Sequence, residues 1–311
     1  MPKVREFKYD AASVLDMGQR DHQEDALAID FPIGAGLGFA VLADGMGGHA
    51  AGDVASKIVV TEVFSELMFQ ANDPEALQDS IGEVLRNAAY AANECVKAHT
   101  ETNPETGGMG STLLAPVLMG SHLYWISIGD SPLYLFRSGA LTQLNEDHSM
   151  APQIDLLVAA GAISEDAAAN HPDRNCLTSV LFGDDIEAID CRETPYELED
   201  GDILIAASDG LQFLDDLSIV RAIRDNIAKP AATIARALLD ALNALNDPSQ
   251  DNVAFTVVKA EAAEVDTLQQ LAADLVRAST EDDLPEPDIA ASDSTVATVD
   301  FKTRARARVA P

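Results

Sequence analysis

Apolar residues up to about Ala260 follow two patterns, short runs bounded by Gly, Asp or Ser and longer stretches with helical spacing. The short runs predict β-strands, and they comprise GFAVLADG, LYWISIGD, LYLFRSG, DILIAASDG and NVAFTVVKA. The stretch LYWISIGDSPLYLFR predicts two strands joined by a tight turn. RSGAL predicts the turn that leaves the second of them.

Three longer stretches carry apolar residues every three or four positions, the spacing of a helix with one face on a sheet. Their predicted buried stripes are Val54, Ile58, Phe64 and Met68; Leu77, Ile81, Leu85, Ala88 and Ala92; and Ile234, Leu238, Leu242 and Leu245. Along the chain the predicted elements are two helices, then several strands, then helices again. This order is typical of an α+β layered sandwich rather than of a regular βαβ alternation.

Composition divides the chain near Ala260. With 47% hydrophobic residues the chain can build a sizeable core, so we expect a folded domain over residues 1–260. Residues 261–311 carry one short amphipathic stretch (Leu268, Leu271, Leu275), an acidic Pro-containing part and a final RARAR cluster. We expect this segment to be a largely disordered acidic tail with a basic C-terminus.

The charge balance excludes several classes of partner. With 20 basic and 52 acidic residues the formal charge is -32, which repels nucleic acid and anionic membrane surfaces. Cys95, Cys176 and Cys191 form no C-x-x-C pair, so we expect buried free thiols in a reducing compartment. The N-terminal residues lack the apolar core of a signal peptide, and the early apolar stretch is too short to span a bilayer. These features predict a cytoplasmic protein.

Four aspartates fall at the ends of predicted strands. Asp44, Asp130 and Asp209 follow their strands, and Asp251 precedes its strand. If the fourth strand is antiparallel to the others, all four carboxylates reach one rim of the sheet. Converging carboxylates repel one another unless cations lie among them, and oxygen ligands suit Mg²⁺ or Mn²⁺. For any one of these positions alone, an ordinary Asp-Gly turn is the favoured alternative.

Glycines surround the first of these aspartates in DGMGG. Gly45, Gly47 and Gly48 allow the backbone to approach a ligand closely, and a bare carbonyl oxygen can bind a metal. The G-K-[ST] ending of a phosphate-binding loop is absent, so the pattern does not favour a nucleotide-binding fold.

An arginine stands among acidic residues in the upstream segment GQRDHQEDALAID. The guanidinium of Arg20 can bind two phosphate oxygens in a bidentate geometry. Glu24 and Asp25 could hold metal-bound waters or orient the ligands. The alternative is a solvated salt-bridge cluster on the surface, which this segment alone slightly favours.

The motifs RDHQEDA, VLADGMGGHAAG, GSTL, IGDS, DHS, IAASDGL and DNV, in this order, resemble the bacterial form of the metal-dependent type 2C serine/threonine phosphatases. The resemblance covers roughly Asp10 to Lys259. It implies a four-layer αββα sandwich, two antiparallel sheets flanked by helix pairs. It also implies a flap at about residues 148–183 that influences which phosphoproteins fit.

The resemblance also implies roles for the strand-end carboxylates. Asp44 would bridge two Mn²⁺ or Mg²⁺ ions, and the carbonyl of Gly45 would bind one of them. Asp209 and Asp251 would complete the other ion's ligands, and Asp130 would bind a third, weaker ion.

The implied reaction is hydrolysis of phosphoserine and phosphothreonine by a metal-activated water, without a phosphoenzyme. Arg20 would bind the substrate phosphate, and Glu24 and Asp25 would support the metal waters. The implied partners are phosphorylated proteins, the substrates of a serine/threonine kinase. The sequence does not specify an oligomeric state.

The chain departs from the family pattern at two positions. Met46 follows the Asp-Gly where some members have a histidine, and His49 is a weak substitute for that acid. Pro132 stands where the family usually has an arginine after Gly-Asp-Ser, which weakens the assignment of Asp130. We expect His22 and His148 to be structural or hydrogen-bonding residues rather than metal ligands.

Three other functions are open to an acidic chain of this kind. A regulatory phosphoprotein-binding module of the same fold would be expected to lack one of the metal-binding aspartates, and all are present. A small-molecule phosphomonoesterase would share the site chemistry, so the sequence discriminates poorly against it. A calcium-buffering protein is disfavoured because the sequence has no EF-hand spacing.

Overall fold

The computed structural model describes residues 6–47 and 51–263. Gly48, His49 and nearly all of the predicted tail, including Leu268, Leu271, Leu275 and the RARAR cluster, lie outside the described residues. The strands found within those ranges are β1 Glu6–Asp16, β2 Asp25–Asp30, β3 Leu37–Met46, β4 Gly110–Ser111, β5 Leu113–Met119, β6 His122–Ile128, β7 Leu133–Arg137, β8 Ala140–Gln143, β9 Asp190–Glu197, β10 Ile203–Ala207 and β11 Val253–Ala263.

The strands form two antiparallel sheets. In sheet I the order is β1-β11-β10-β7-β8, and in sheet II it is β2-β3-β5-β6-β9 with β4 paired to β3. The inner faces of the two sheets share one apolar layer in which Leu114 and Trp125 of sheet II meet Leu135 and Leu204 of sheet I. A fully buried leucine side chain contributes about 1.5–3 kcal/mol, so this layer holds the two sheets together.

Helices cover the two outer faces of the sandwich. The helices are α1 Ala51–Gln70, α2 Pro74–Thr102, α3 Ala151–Ala159, α4 Glu165–Ala169, α5 Asp216–Asp225 and α6 Ala231–Leu245. Helices α1 and α2 share an apolar cluster with sheet II, and α5 and α6 share another with sheet I. This is the four-layer αββα arrangement expected from the sequence. Helices α3 and α4 lie between β8 and β9, within the segment for which a flap is predicted.

The sequence predicts the buried faces of α2 and α6 better than that of α1. In α2 all five predicted residues are buried, and in α6 the stripe is buried except for Leu245. In α1 the predicted stripe is wrong by one position, because Ala55, Val59, Val63 and Leu67 are buried while Met68 is 42% exposed. Almost every face of α1 is apolar, so spacing alone could not select the buried one.

The predicted pair of strands in LYWISIGDSPLYLFR belongs to two different sheets. β6 lies in sheet II and β7 in sheet I, so residues 129–132 cross between the sheets instead of closing a hairpin. The RSGAL turn is confirmed, because Ser138 and Gly139 have positive φ and join β7 to its neighbour β8. The crossing segment carries Asp130, which lines the same cavity as Asp44, Asp209 and Asp251.

The structure also bears on the predictions for the three cysteines and for membrane-spanning segments. Cys95, Cys176 and Cys191 are free, as expected, but none is fully buried and Cys176 is exposed. Among the described residues, no helix has both the length and the apolar character needed to cross a membrane.

Candidate active site

Asp44 lies near the end of β3, directly opposite Asp25 of β2 in the strand register. Its backbone is held on both sides by the GST segment that precedes β5. The Asp44 N–H donates to Thr112 Oγ1 (2.9 Å), and the Asp44 carbonyl accepts from the Thr112 N–H and the Ser111 hydroxyl (both 2.9 Å). This bracing fixes the direction in which the Asp44 carboxylate leaves the strand.

Asp209 and Asp251 come from sheet I. Asp209 begins the 3₁₀ turn Asp209–Phe213 after β10, and Asp251 stands two residues before β11, which is antiparallel to β10 as predicted. The two segments touch at Gly210, where an added Cβ would lie 1.9 Å from the Asn252 carbonyl oxygen. A glycine is therefore required to bring Asp209 beside Asp251.

The four strand-end carboxylates do not share one rim of one sheet, as the sequence suggested. Asp44 lies in β3 and Asp130 follows β6, which are strands of sheet II. Asp209 follows β10 and Asp251 precedes β11, which are strands of sheet I. They meet because the two sheets end at the same place. The expectation was wrong about the sheet and right about the convergence.

A cavity of about 530 Å³ lies at this end of the sandwich. Seven of the eight residues predicted to form the site line it, and these are Arg20, Glu24, Asp44, Gly45, Asp130, Asp209 and Asp251. Asn175, Cys176, Leu177 and Val180, from the segment predicted to be a flap, line the same cavity. This segment therefore forms part of the cavity wall.

The eighth residue, Asp25, lies behind this cavity instead of lining it. Its side chain is buried and accepts a hydrogen bond of 2.7 Å from the Ser208 hydroxyl. Burial, followed by the charges of Asp209 and Asp251, raises the pKa of Asp25 from 3.8 to about 7. Asp25 therefore acts on the cavity carboxylates from a buried position rather than from the cavity wall.

The cavity carboxylates raise one another's pKa. Burial and then the neighbouring carboxylates raise the pKa of Asp44 well above its usual range, and that of Asp130 to about 7. The pKa of Asp209 is also raised, by burial and by the charge of Asp251. Burial is the first cause of each shift and uncompensated neighbouring negative charge the second, and a divalent cation bound among these carboxylates would offset both.

The donor set fits a hard divalent ion. Carboxylate oxygens and a glycine carbonyl are the ligands of Mg²⁺ and Mn²⁺, and the lining of the cavity supplies both kinds. In residues 6–47 and 51–263, no three His, Cys, Asp or Glu side chains are grouped closely enough to hold an ion on their own. Mg²⁺ typically takes one or two carboxylates and keeps several waters, so the arrangement suits ions that share their ligands with water and phosphate.

Gly45 lies where two backbones pack closely. An added Cβ there would be 2.0 Å from the Gly52 carbonyl oxygen, so β3 and the first turn of α1 meet only through glycine. Glu24 belongs to the same contact, because its carbonyl accepts from the Gly45 N–H at 3.1 Å. Burial is the main cause that raises the pKa of Glu24, opposed by Arg20 and reinforced by Asp251.

Arg20 forms an ion pair with Asp251 and is 54% exposed. The loop that carries it is held by Asn252, a buried residue that sequence reasoning missed. Asn252 Oδ1 accepts from the Glu24 N–H (2.8 Å), and Nδ2 donates to the carbonyls of Met17 (2.9 Å) and His22 (3.0 Å). The DNV motif carries a local signal for this residue, an asparagine directly after Asp251.

The departures from the family pattern have visible consequences. Met46 lines the cavity next to Gly45, and it offers no proton. The Pro132 carbonyl accepts from the Ala207 N–H at 3.0 Å, so this residue joins the crossing segment to β10. The ring of His148 is buried and hydrogen-bonded to the backbone, as expected.

The comparisons with known proteins agree with the fold and the motifs. The model of the protein phosphatase 2C family matches residues 18–254, so the chain belongs to that family. It is 35% identical over 233 residues to the serine/threonine protein phosphatase PstP of Mycobacterium tuberculosis, a match that covers 75% of this chain and 42% of PstP. The match thus spans less than half of that relative.

Solved structures of PstP share the architecture. The crystal structure of the Mycobacterium tuberculosis phosphatase has a TM-score of 0.67 at 33% identity and covers 81% of this chain and 99% of that one. The PstP catalytic domain solved with two manganese ions has a TM-score of 0.64 at 31% identity, over 82% of this chain and 99% of that one. The predicted family and fold class are confirmed.

Proposed function

We propose that this chain is a metal-dependent phosphatase that hydrolyses phosphoserine and phosphothreonine in proteins. One observation carries the proposal: Asp44 of β3 lines one cavity with four loop or turn residues from near the ends of other strands, Arg20, Asp130, Asp209 and Asp251. Four carboxylates and one guanidinium in a cavity of this size fit a metal-assisted reaction on an anionic phosphoryl group.

Different residues of the cavity would bind the two ions. Asp44 stands between the other carboxylates, with Gly45 beside it, and Asp209 and Asp251 lie on the opposite sheet. Asp130 would hold a third, weaker ion. Mn²⁺ or Mg²⁺ bound there would supply a water that ionises near neutral pH and positive charge for the phosphoryl oxygens.

Electrostatics explain why this chain would depend on the ions. A phosphate dianion is repelled by the cavity carboxylates and by the formal charge of -32 on the whole chain. Arg20 is a cation within reach, and in the structure it is paired with Asp251. An ion bound at Asp251 would compete for that carboxylate and leave the Arg20 guanidinium available for the substrate phosphate.

The surrounding residues keep this machinery in place. Thr112 and Ser111 fix the backbone of Asp44, and Asn252 fixes the loop of Arg20. Asp25, held by Ser208, keeps a carboxyl group behind Asp44 that can orient water near the ions. Met46 supplies no proton to the leaving oxygen, so we expect that proton to come from water.

Protein substrates are favoured over small molecules by two considerations. The flap lines the cavity, so a substrate meets a protein surface as well as the carboxylates. The relatives that the chain matches are named serine/threonine protein phosphatases. We infer that the substrates are the products of a serine/threonine kinase. The three free thiols fit action in the cytoplasm.

Hydrolysis of an aryl phosphate and of a phosphothreonine peptide, with Mn²⁺, Mg²⁺ or EDTA, tests the proposal. We expect activity with either metal, none in EDTA, and a loss on the order of 1,000-fold in Asp44→Asn or Asp209→Asn. Asp30→Asn, at the far end of β2 from Asp25, is the matched control and should behave as the wild type. A protein that is inactive with both metals, or equally active in EDTA, would contradict the mechanism.

The same assay separates the alternatives. A regulatory binding module would bind the phosphopeptide but turn over neither substrate. A small-molecule phosphomonoesterase would hydrolyse the aryl phosphate and leave the peptide untouched.

A further inference from the structure

The segment that crosses between the sheets and carries Asp130 is held by a polar bracket from residues 145–149. Asn145 Oδ1 accepts from the Leu133 N–H at 2.7 Å. Asn145 Nδ2 donates to Ser127 Oγ at 2.8 Å and to the Ser131 carbonyl at 2.9 Å. This residue fixes the two ends of the crossing segment but does not reach the residue directly before Asp130.

His148 holds that remaining residue, Gly129, through both of its backbone groups. The His148 N–H donates to the Gly129 carbonyl at 3.0 Å, and the Gly129 N–H donates to His148 Nδ1 at 3.2 Å. Gly129 has φ +106°, and an added Cβ would lie 2.6 Å from the Thr112 side chain. The peptide that leads into Asp130 is thus in a conformation that glycine adopts readily and that a residue with a Cβ does not fit.

The His148 ring is held by a hydrogen bond at Nδ1 rather than at Nε2. An N–H donor from Gly129 requires an unprotonated Nδ1, so the ring proton is on Nε2. Among residues 6–47 and 51–263, Nε2 has no hydrogen-bond partner, and it lies 3.8 Å from Glu146 Oε2. His148 is only 6% exposed, and the Gly129 N–H is the donor that orients its buried ring.

The same residue belongs to the base of the flap. The His148 carbonyl accepts from the Thr178 N–H at 2.7 Å, and Ser149 forms a bridge with Leu177, which lines the cavity. His148 therefore joins three features: the flap base, the Gly129 peptide and the cavity carboxylate that follows it.

We propose that His148 is the positioning residue for Asp130, and that its Nδ1 fixes the Gly129 peptide so that the Asp130 carboxylate faces the cavity. This inference rests on the proposed function, because it assigns a task to Asp130 within that site. His148 does not line the cavity and acts through the backbone of Gly129.

Two substitutions of His148 distinguish the effect of the Nδ1 hydrogen bond from the effect of a polar side chain that only fills the same space. Asparagine places its Oδ1 near the position of Nδ1 and can still accept from Gly129, whereas glutamine places its oxygen near Nε2. Because a misplacement of about 1 Å can cost on the order of 100-fold, we expect kcat to fall roughly tenfold in His148→Gln and less than about threefold in His148→Asn. The KM should change little, and the loss should be the same for an aryl phosphate and a phosphopeptide.

Mn²⁺ binding measured by equilibrium dialysis gives a readout besides activity. The His148→Gln protein should lose the weakest bound ion, as Asp130→Asn should, and His148→Asn should keep it. Combining His148→Gln with Asp130→Asn should reduce kcat no further than Asp130→Asn alone, because one variant acts through the other. Glu146→Gln, which changes the carboxylate near Nε2, is the control and should match the wild type.

Several results would overturn the inference. It fails if folded His148→Asn loses as much activity or Mn²⁺ as folded His148→Gln, or if the losses add in the double variant. A loss confined to the phosphopeptide would assign His148 to the flap instead. Thermal unfolding shows whether His148→Gln folds. If it does not, the inference is tested with His148→Asn alone, and it is refuted if the folded His148→Asn protein lacks the weakly bound ion. An inactive wild type would instead contradict the proposed function.

Discussion

Replacement of Asn252 by alanine tests whether the loop that carries Arg20 is held as the structure indicates. The Asn252 side chain is 5% exposed and makes three hydrogen bonds of 2.8–3.0 Å to backbone groups of Met17, His22 and Glu24. The variant removes all three bonds at once and leaves the backbone bond from the Asn252 N–H to Asp251 Oδ1 in place.

The cost follows from the number of backbone groups that lose a partner. A buried polar group without a partner costs about 1–3 kcal/mol, and water can replace part of that loss in a half-exposed loop. We therefore take the lower end for each of the three bonds, and the free energy of unfolding should fall by about 3 kcal/mol. Release of the loop should also lower kcat/KM by roughly tenfold, since Arg20 loses its fixed position.

Urea unfolding and steady-state kinetics on a phosphopeptide measure the two effects. Asn226→Ala is the matched control, because it removes one part-buried bond to the Ala222 carbonyl (2.9 Å) at the end of α5, away from the cavity, and should leave kcat/KM unchanged. In an Arg20→Ala background, Asn252→Ala should cause no further loss of kcat/KM. A loss of stability below about 1 kcal/mol, or an undiminished effect in the Arg20→Ala background, would refute the reasoning.

Three further predictions concern the carboxylates and their supports. Burial, reinforced by neighbouring carboxylates, raises the pKa of Asp25 and Asp130 from 3.8 to about 7, so the folded metal-free protein holds protons that the unfolded chain has released. The free energy of unfolding of the metal-free protein should thus fall as the pH rises from 3.8 to about 7. A melting midpoint in EDTA that is higher at pH 8 than at pH 5 would contradict this. Ser208→Ala removes the hydroxyl that donates to Asp25 and accepts from the Ala254 N–H, so urea unfolding should show a loss of about 2 kcal/mol. Gly210→Ala should separate Asp209 from Asp251 because its Cβ would overlap the Asn252 carbonyl, and a wild-type Mn²⁺ affinity by dialysis would exclude that.

The strand-end carboxylates could be predicted because their signal is local. An apolar run followed by Asp and Gly identifies both the strand and the side chain at its end, and the helical spacing of α2 and α6 identifies their buried faces. Which sheet each strand joins is not local. Every residue of β7 but Arg137, and of β6 but His122, is buried, so the pattern could not show that the two strands separate.

The supporting residues were missed for a related reason. Thr112, Ser208 and Asn252 are uncharged, and their partners lie far away in the sequence, as in the bond from Ser208 to Asp25 across 183 positions. Their roles depend on which strands come together, which the three-dimensional fold alone determines. Asp25 was selected because it is charged, but its burial behind the cavity could be known only once β2 was placed beside β3.

The central claim is that Asp44 is the shared ligand of a two-ion site, and the number of Mn²⁺ ions bound at equilibrium tests it most directly. Dialysis of the purified protein against Mn²⁺, followed by elemental analysis, should find two tightly held ions per wild-type chain, and Asp44→Asn should hold at most one of them weakly. Asp30→Asn should bind as the wild type does. If Asp44→Asn keeps two ions with undiminished affinity, Asp44 does not bridge them and the account is wrong.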